Sequence, residues 1–426
     1  MLFPAALAII AVAMFCLVKK AEVRLVLFAA GLALASLAGK PLVVFEVFLA
    51  EMANVKTIGP ICSAMGYAYV LRAIGADREL VHLLLAPARR RWWLLIPGGC
   101  AAGFVANIAV TSQTAVAATV GPILVPLMLA AGYTPAAAAA TLVLGCSGGG
   151  SLFNPGDADL VAIHEASRAP MKAALGAMFW PLLGGFGTAV TVFAWRTRRQ
   201  PADLTSAIAP PPPAEGKRWK ALLPPLPLAM IFAMMPGVIF DALPAPFERG
   251  LPVSHAMLVS TMIALLLCRG ALTEKVKSFF EGLGFAYAHV ISLIVTASCF
   301  IAGLTQVGLT EKLVRLVSDT GLTGKLAAVF FPGALGVITG SGIGPSVAFS
   351  NAVLPALRDN LAVALDLGVL AAIAATFGRT MSPAAAVVIF SSNHVGVTVT
   401  EVVKRTAPPL LAGLAAMLAI VIVRGN

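Results

Sequence analysis

The residues able to do chemistry in this chain are gathered into four short polar stretches, each set in apolar sequence. The first is Asn107-Ile-Ala-Val-Thr111-Ser112-Gln113-Thr114, followed by Gly121-Pro122 and Pro126. The second runs from Gly145 through Ser147-Gly148-Gly149-Gly150-Ser151 to Asn154-Pro155-Gly156-Asp157. The third is Gly340-Ser341-Gly342-Ile-Gly344-Pro345-Ser346, with Ser350-Asn351 and Pro355 behind it. The fourth is Thr376-Phe-Gly378-Arg379-Thr380-Met-Ser382-Pro383. Pro122 and Pro155 are 33 residues apart, Pro345 and Pro383 are 38 apart, so one pair of breaks occurs twice at similar spacing. Such stretches suit the binding of ions and carboxylates. Freed N–H groups and helix N-termini face anions, while freed carbonyls and Ser, Thr or Asn oxygens coordinate a small cation. Small residues also let helices pack closely. For Gly148, Gly149 and Gly150 with Asn154-Pro155 the binding reading is preferred, whereas Ser36, Ser63 and Thr188 read as packing.

Arg379 stands between the apolar runs AAIAAT and AAAVVIF. An Arg at a membrane helix centre costs about 2.5–3.5 kcal/mol on insertion scales, so such residues face a cavity or pair with an anion. A guanidinium fork can grip one carboxylate while hairpin N–H groups take a second. The structural alternative is a bond to helix carbonyls or a pair with an acid such as Asp366. Asp157, Asp159 and Glu165 follow the second stretch and are expected to approach the external interface, although Asp157 is also a candidate proton or cation ligand. Lys56 either lines a cavity or snorkels, and Glu46 and Glu51 are expected to pair with Lys56 or Lys40. His82 and His255 fall near span ends. His289 and His394 are candidate proton-linked groups that also suit plain helix contacts, and His164-Glu165 lacks the HExxH spacing of a zinc site.

The elements that position these residues follow from composition. Of 426 residues, 59% are hydrophobic and 12% charged, with mean hydropathy +0.93. A soluble domain is about 45–50% apolar and about 25% charged, so the chain reads as a polytopic helical membrane protein. Apolar runs are not alternating, which excludes a β-barrel. Spans are expected near 2–18, 23–39, 42–71, a broken stretch 92–131, 135–163 and 173–195. After a proline-rich linker, 196–220, they resume near 221–240, 251–268, 284–305, a broken stretch 326–357, 366–391 and 408–424. The connections 19–24, 72–91, 196–220, 269–277 and 404–405 hold nineteen of the 30 Lys and Arg, which assigns them to the cytoplasm if each broken stretch returns to its own side. Both termini are then periplasmic, in a bacterial inner membrane. The first run, ending at Val18-Lys19-Lys20, reads as a permanent span rather than a cleaved signal. The predicted fold is all-α, an inverted repeat of about 5+5 transmembrane helices with two re-entrant hairpins and broken helices. Its halves are 1–195, with a hairpin near 92–131, and 221–426, with a hairpin near 326–357. The alternative is that both broken stretches are ordinary tilted helices.

The formal charge of +11 sits in short clusters at span ends, so nucleic acid is not an expected partner. Six scattered cysteines without a CxxC pair read as small core residues. An enzyme would need a nucleophile with a base, a Walker loop or a metal cluster; none is apparent, and GSGIG at 340–344 lacks a βαβ context. A carrier and an anion channel both fit broken helices.

The segments GYAYVLRAIGADRELVHLLL (66–85), IPGG at 96–99, NIAVTSQTAVAATVGPILVPLMLAAGYTPAAAAATLVLG (107–145), NPGDADL (154–160), GSGIGPSVAFSNAVLP (340–355) and GRTMSP (378–383) resemble the anaerobic four-carbon dicarboxylate carrier family of the DcuC type. The resemblance covers most of the chain and is most specific from 57 to 160. It implies membership of a superfamily of dicarboxylate and related anion carriers with two hairpins, an elevator motion and a homodimer. Ser112 and Thr114 occupy that superfamily's Ser-Asn-Thr tip, with Gln113 where Asn is usual. The second hairpin departs from the pattern, offering Ser341, Ser346 and Ser350-Asn351. The resemblance and the breaks together imply a substrate site of Ser112, Gln113, Thr114, Asn154, Ser346, Asn351, Arg379 and Thr380. The implied cation site comprises Ser112, Thr114, Gly150, Asn154, Ser341 and Ser382. The expected substrate is a small carboxylate, foremost succinate, fumarate or malate. No cofactor is expected beyond sodium or protons as the coupling ion, and the expected partners are the lipid bilayer and a second copy of the chain.

Overall fold

A computed structural model describes residues 2–19, 21–85, 92–197, 217–234, 251–268, 270–309 and 321–424. Most of the expected linker and the end of the span near 221–240 lie outside the described residues, as does the Lys56 side chain. Among the described residues every regular element is a helix. The first half contains α1 (Leu2–Val18), α2 (Val23–Leu37), α3 (Leu42–Met52), α4 (Val55–Ala73), α5 (Ala76–Leu85), α6 (Leu95–Ala109), α7 (Gln113–Ala130), α8 (Pro135–Ser147), α9 (Ala158–Ser167) and α10 (Met171–Arg196). The second half contains α11 (Leu226–Ala233), α12 (Val253–Leu267), α13 (Leu272–Ala286), α14 (Ser292–Gln306), α15 (Gly321–Thr339), α16 (Ile343–Val353), α17 (Leu361–Thr380), α18 (Ala386–Val395) and α19 (Val399–Arg424). Among the described residues, seven helical stretches are long and apolar enough to cross a membrane, with α8–α9 and α13–α14 each counted as one. The chain is therefore an all-helical, multi-pass membrane protein.

Local sequence explains the interruptions. Ser112 is the N-cap of α7, its hydroxyl accepting from the Ala115 N–H, so the chain turns at 110–112 between α6 and α7. Thr134 caps α8 with Pro135 in its first turn, and α8 ends at Ser147 where three glycines follow. Gly149 has φ +102°, a left-handed conformation that favours glycine and turns the chain out of the helix. Asp157 then caps α9 through the Asp159 N–H. In the second half Gly340-Ser341-Gly342 separates α15 from α16, and Met381 to Ala385 separates α17 from α18. The order of a helix pair with a polar tip, then an interrupted helix, then a 26-residue helix occurs in both halves, ending in α10 and α19.

Three boundaries differ from the sequence reading. The span expected at 42–71 is two helices, α3 and α4, parted at Ala53-Asn54. The span expected at 284–305 starts at Leu272, its first turns carrying exposed Glu274 and Lys277 and half-buried Lys275, and is joined across a π turn at Tyr287–Ile291. Such a turn shifts the backbone bonding pattern by one residue; here the Ala288 carbonyl also accepts from Arg24 Nη1 at 2.8 Å. The fourth polar stretch is mostly helical, because α17 continues to Thr380. Gly378 is retained in it because a Cβ there would lie 2.2 Å from the Gly333 carbonyl oxygen of α15. In the first half Gly103 of α6 meets Gly145 of α8 in the same way, at 2.7 Å. Backbones in contact are what small residues allow where lipid supplies no hydrophobic drive for helix association.

The helices form two packed groups. One joins α1 to α4 with α12 to α14; the other joins α6 to α10 with α15 to α19. The second holds most of the apolar core, from Leu142, Leu144 and Leu152 to Phe377 and Leu370. The chain at Lys220 and Leu223 is tied back onto α4: Lys220 Nζ donates to the Ile74 carbonyl at 2.8 Å and the Tyr67 hydroxyl to the Leu223 carbonyl.

Candidate functional site

The two interrupted helices meet at a buried polar contact. Ser147 ends α8 and Thr380 ends α17, and their hydroxyls lie 2.8 Å apart, across 233 residues of sequence. Thr380 Oγ1 is also within bonding distance of the Ser147 and Thr376 carbonyls, at 2.8 and 2.7 Å. The second broken helix thus brings a hydroxyl to a carbonyl at the open end of the first, where no lipid could satisfy it. Ser382, buried, accepts from the Ala384 N–H at 3.1 Å and so stabilises the second break.

The first break is bound to the first hairpin by two asparagines. Asn107 donates to the Val110 carbonyl at 3.0 Å and accepts from the Ser151 N–H at 3.0 Å. Asn154 donates to the Ile108 carbonyl at 2.8 Å and accepts from the Gly156 N–H at 2.8 Å. Gly150 lets the break sit against α6, since a Cβ there would lie 2.1 Å from the Phe104 carbonyl oxygen. Asn154 therefore sets the tip's position with an amide already engaged on both ends. Ser112 and Thr114 are half-buried at the tip and line a cavity of about 270 Å³ with Tyr69, Arg72 and Asp77; Gln113 beside them is half-buried.

Arg379 is in the last turn of α17, 6% exposed, and its Nε and Nη2 have no hydrogen-bond partner. These donors bond no helix carbonyl, and Asp366 is not the acid beside it. Asp366 instead faces Lys325 at 3.9 Å, thirteen residues or roughly 20 Å back along the helix. The carboxylates whose charge reaches Arg379 are Asp157 and Asp159. Both were expected near the external interface, yet they are 5% and 2% exposed. Asp157 sits beside Ser151, and Asp159 beside Ser346 of α16. Ser346 Oγ, Ser350 Oγ and Asp159 Oδ1 are buried without a hydrogen-bond partner. The sequence reading offered Asp157 only as an alternative ligand and left Asp159, Asn107 and Ser147 out of the site. The available signal was that Asp157 and Asp159 open an apolar helix directly after a Pro-Gly break.

A second cavity, of about 360 Å³, opens on the other side of this centre. It is lined by Glu51, Asn54 and Thr57 of the first group and by Ala158, Ala162, Val347 and Asn351 of the second. Thr57 and Met65, which line the two cavities, are eight residues apart on α4, roughly 12 Å. Both cavities lie between the two helix groups, with the polar centre between them. Ser341, at the second tip, is half-buried and its hydroxyl lies 3.5 Å from the Gly344 N–H. Glu51 accepts from the Asn54 side-chain amide at 3.1 Å. His289 and His394 stack on Phe285 and Phe390, and no group of three or more His, Cys, Asp or Glu among the described residues could hold a metal.

Broken helices meeting at a buried polar centre, with cavities between two helix groups, define the class of membrane transporters built from interrupted helices. Residues 61–425 match the family described as C4-dicarboxylate anaerobic carrier, DcuC, and the chain belongs to that family. The anaerobic C4-dicarboxylate transporter DcuC of Escherichia coli strain K12 is 27% identical over 375 residues, covering 82% of this chain and 77% of that one. The probable anaerobic C4-dicarboxylate transporter DcuC of Vibrio cholerae is 25% identical over 376 residues, with 82% and 78% covered. An uncharacterized transporter of Haemophilus influenzae is 32% identical over 191 residues, 45% of this chain and 68% of that one. The crystal structure of the YdaH transporter of Alcanivorax borkumensis, described as having an unusual topology, shares the fold. Its TM-score is 0.61 at 15% identity, with 88% of this chain and 86% of that chain covered. The family resemblance read from the sequence is borne out, and the protein is a transporter rather than an enzyme.

Proposed function

We propose that the protein is a secondary carrier of four-carbon dicarboxylates such as succinate, fumarate and malate. The observation that carries this reading is Arg379, buried with two guanidinium donors open, beside the junction of both broken helices. An unbonded buried cation is costly, and a carboxylate is the ligand that satisfies its fork. Freed N–H groups and the α7 and α16 N-termini provide for the second carboxylate. In this reading the substrate contacts are Ser112, Gln113, Thr114, Asn154, Ser346, Asn351, Arg379 and Thr380. A coupling cation is held near Ser112, Thr114, Gly150, Asn154, Ser341 and Ser382.

The two halves, 1–195 and 221–426, form an inverted repeat joined by a cytoplasmic linker at 196–220, and the tips at 110–112 and 340–342 are re-entrant. The second helix group moves as an elevator against the first within a homodimer. The membrane is a bacterial inner membrane, with both termini periplasmic. These readings rest on the repeated element order, the Lys and Arg distribution and the two cavities between the helix groups. Proteoliposomes containing the protein are expected to accumulate labelled succinate or fumarate against its gradient when a sodium or proton gradient is imposed. Failure with every small carboxylate under both gradients would overturn the reading.

A further inference from the structure

Charge balance in the buried centre carries a consequence for coupling. The centre holds one cation, Arg379, and two carboxylates, Asp157 and Asp159, all at least nine-tenths buried. The hydroxyls beside the carboxylates are neutral: Ser151 at Asp157 and Ser346 at Asp159. In the empty centre the guanidinium and the N-terminus of α9 together offset the two carboxylates. A dicarboxylate that takes the Arg379 fork leaves those carboxylates without their counter-charge and adds two negative charges of its own. A buried, uncompensated charge of that size is not sustained; a proton or cation must enter with the substrate.

We infer that Asp159 is the coupling group, taking up a proton when a dicarboxylate claims Arg379 and returning it when the substrate leaves. This rests on the dicarboxylate reading above. Asp157 is less suited, since its carboxylate caps α9 through the Asp159 N–H at 3.1 Å and lies beside Ser151. Asp159 Oδ1 has no hydrogen-bond partner, and neither has the adjacent Ser346 hydroxyl. The Ser346 hydroxyl beside Asp159 can donate to the carboxylate and accept from the acid, so it serves both protonation states. The proton comes from solvent in the cavity of about 360 Å³, whose wall includes Ala158 and Val347, the chain neighbours of Asp159 and Ser346.

The other titratable or charged groups whose side chains are described on elements packed against α9 are placed elsewhere. Cys62 of α4 lies in an apolar cluster with Ala158 and Val161, and Tyr67 bonds the Leu223 carbonyl. Tyr69 and Arg72 line the opposite cavity. Lys172 of α10 and His164, Glu165 and Arg168 at the far end of α9 line a separate groove, Glu165 also lining the cavity of about 360 Å³. Arg196 ends α10. Asp366 faces Lys325, and Arg358 bonds the Ala166 carbonyl at 2.9 Å. α16 carries no titratable side chain.

The test is calorimetric titration of the full-length protein in nanodiscs with succinate, without sodium, in two buffers of different ionisation enthalpy at a pH where succinate is a dianion. About one proton should be taken up per succinate bound, and succinate affinity should rise about tenfold per unit fall in pH. In Asp159→Asn proton uptake should vanish and the pH slope flatten; in Asp157→Asn proton uptake should persist. Succinate binding without proton uptake, binding that requires sodium instead, or an unchanged proton count in Asp159→Asn overturns the assignment. If Asp159→Asn fails to fold, a wild-type proton count of zero, or loss of proton uptake in Asp157→Asn, still overturns the assignment. Absence of binding by any small carboxylate would instead strike the dicarboxylate reading, and the coupling role with it.

Discussion

At the scale of single residues, Arg379 and Asn154 are expected to behave differently. Replacing Arg379 with Gln removes both charge and fork, and Lys keeps charge without the fork. A hydrogen bond to a charged group contributes about 1.5–3 kcal/mol, which corresponds to roughly 10–100-fold in affinity. Half-saturation for succinate should rise by that factor in Arg379→Gln, less in Arg379→Lys, and far less for a monocarboxylate such as butyrate. Equal half-saturation in wild type and well-folded Arg379→Gln would remove the clamp. Asn154 holds the break to the hairpin through the Ile108 carbonyl and the Gly156 N–H. Asn154→Ala should therefore lower thermal stability, by about 1–3 kcal/mol, as well as transport. Thr114→Val, at the half-buried tip, should alter cation dependence with the melting temperature unchanged. Identical cation dependence in Thr114→Val would move the cation site away from that tip.

At the scale of elements, much was legible because polarity at membrane depth is expensive. The turns at 110–112 and 340–342 and the interruption after Ser147 fall where Ser, Thr, Asn and Gly interrupt apolar sequence. Other features depend on partners distant in the chain. Gly378 looked like part of a break because a glycine in isolation does not reveal that it faces Gly333. The parting of α3 from α4 at Ala53-Asn54 has neither Gly nor Pro to announce it. Asp157 and Asp159 looked interfacial because only the packing of α16 and α17 over α9 encloses them. The contact between Ser147 and Thr380 joins the two halves and was invisible to local pattern. The glycine contacts give a direct check. Gly378→Ala places a methyl 2.2 Å from a carbonyl oxygen and should sharply reduce folded protein. Gly187→Ala, with nothing within 4 Å, should be neutral or stabilise by up to about 1 kcal/mol. Thermal unfolding of both variants in detergent compares them, and equal stability would contradict the observed α15–α17 contact.

At the scale of the whole molecule, two helix groups enclose cavities on either side of one polar centre, an arrangement that suits access to the site from each membrane face in turn. Cysteine introduced at Thr57 and at Ser112, in a background with the six native cysteines replaced by Ala or Ser, reports on the two openings. Saturating succinate should change the rates at which a membrane-impermeant maleimide labels these positions from opposite faces. Labelling unaffected by succinate at both positions would contradict movement between the groups. A carrier and a channel differ most directly in counterflow. Proteoliposomes loaded with unlabelled succinate and diluted into trace labelled fumarate should accumulate label transiently above equilibrium and then lose it. Label that never exceeds its equilibrium level, in vesicles where the protein is folded and passes fumarate, would contradict the account of this protein as a dicarboxylate carrier.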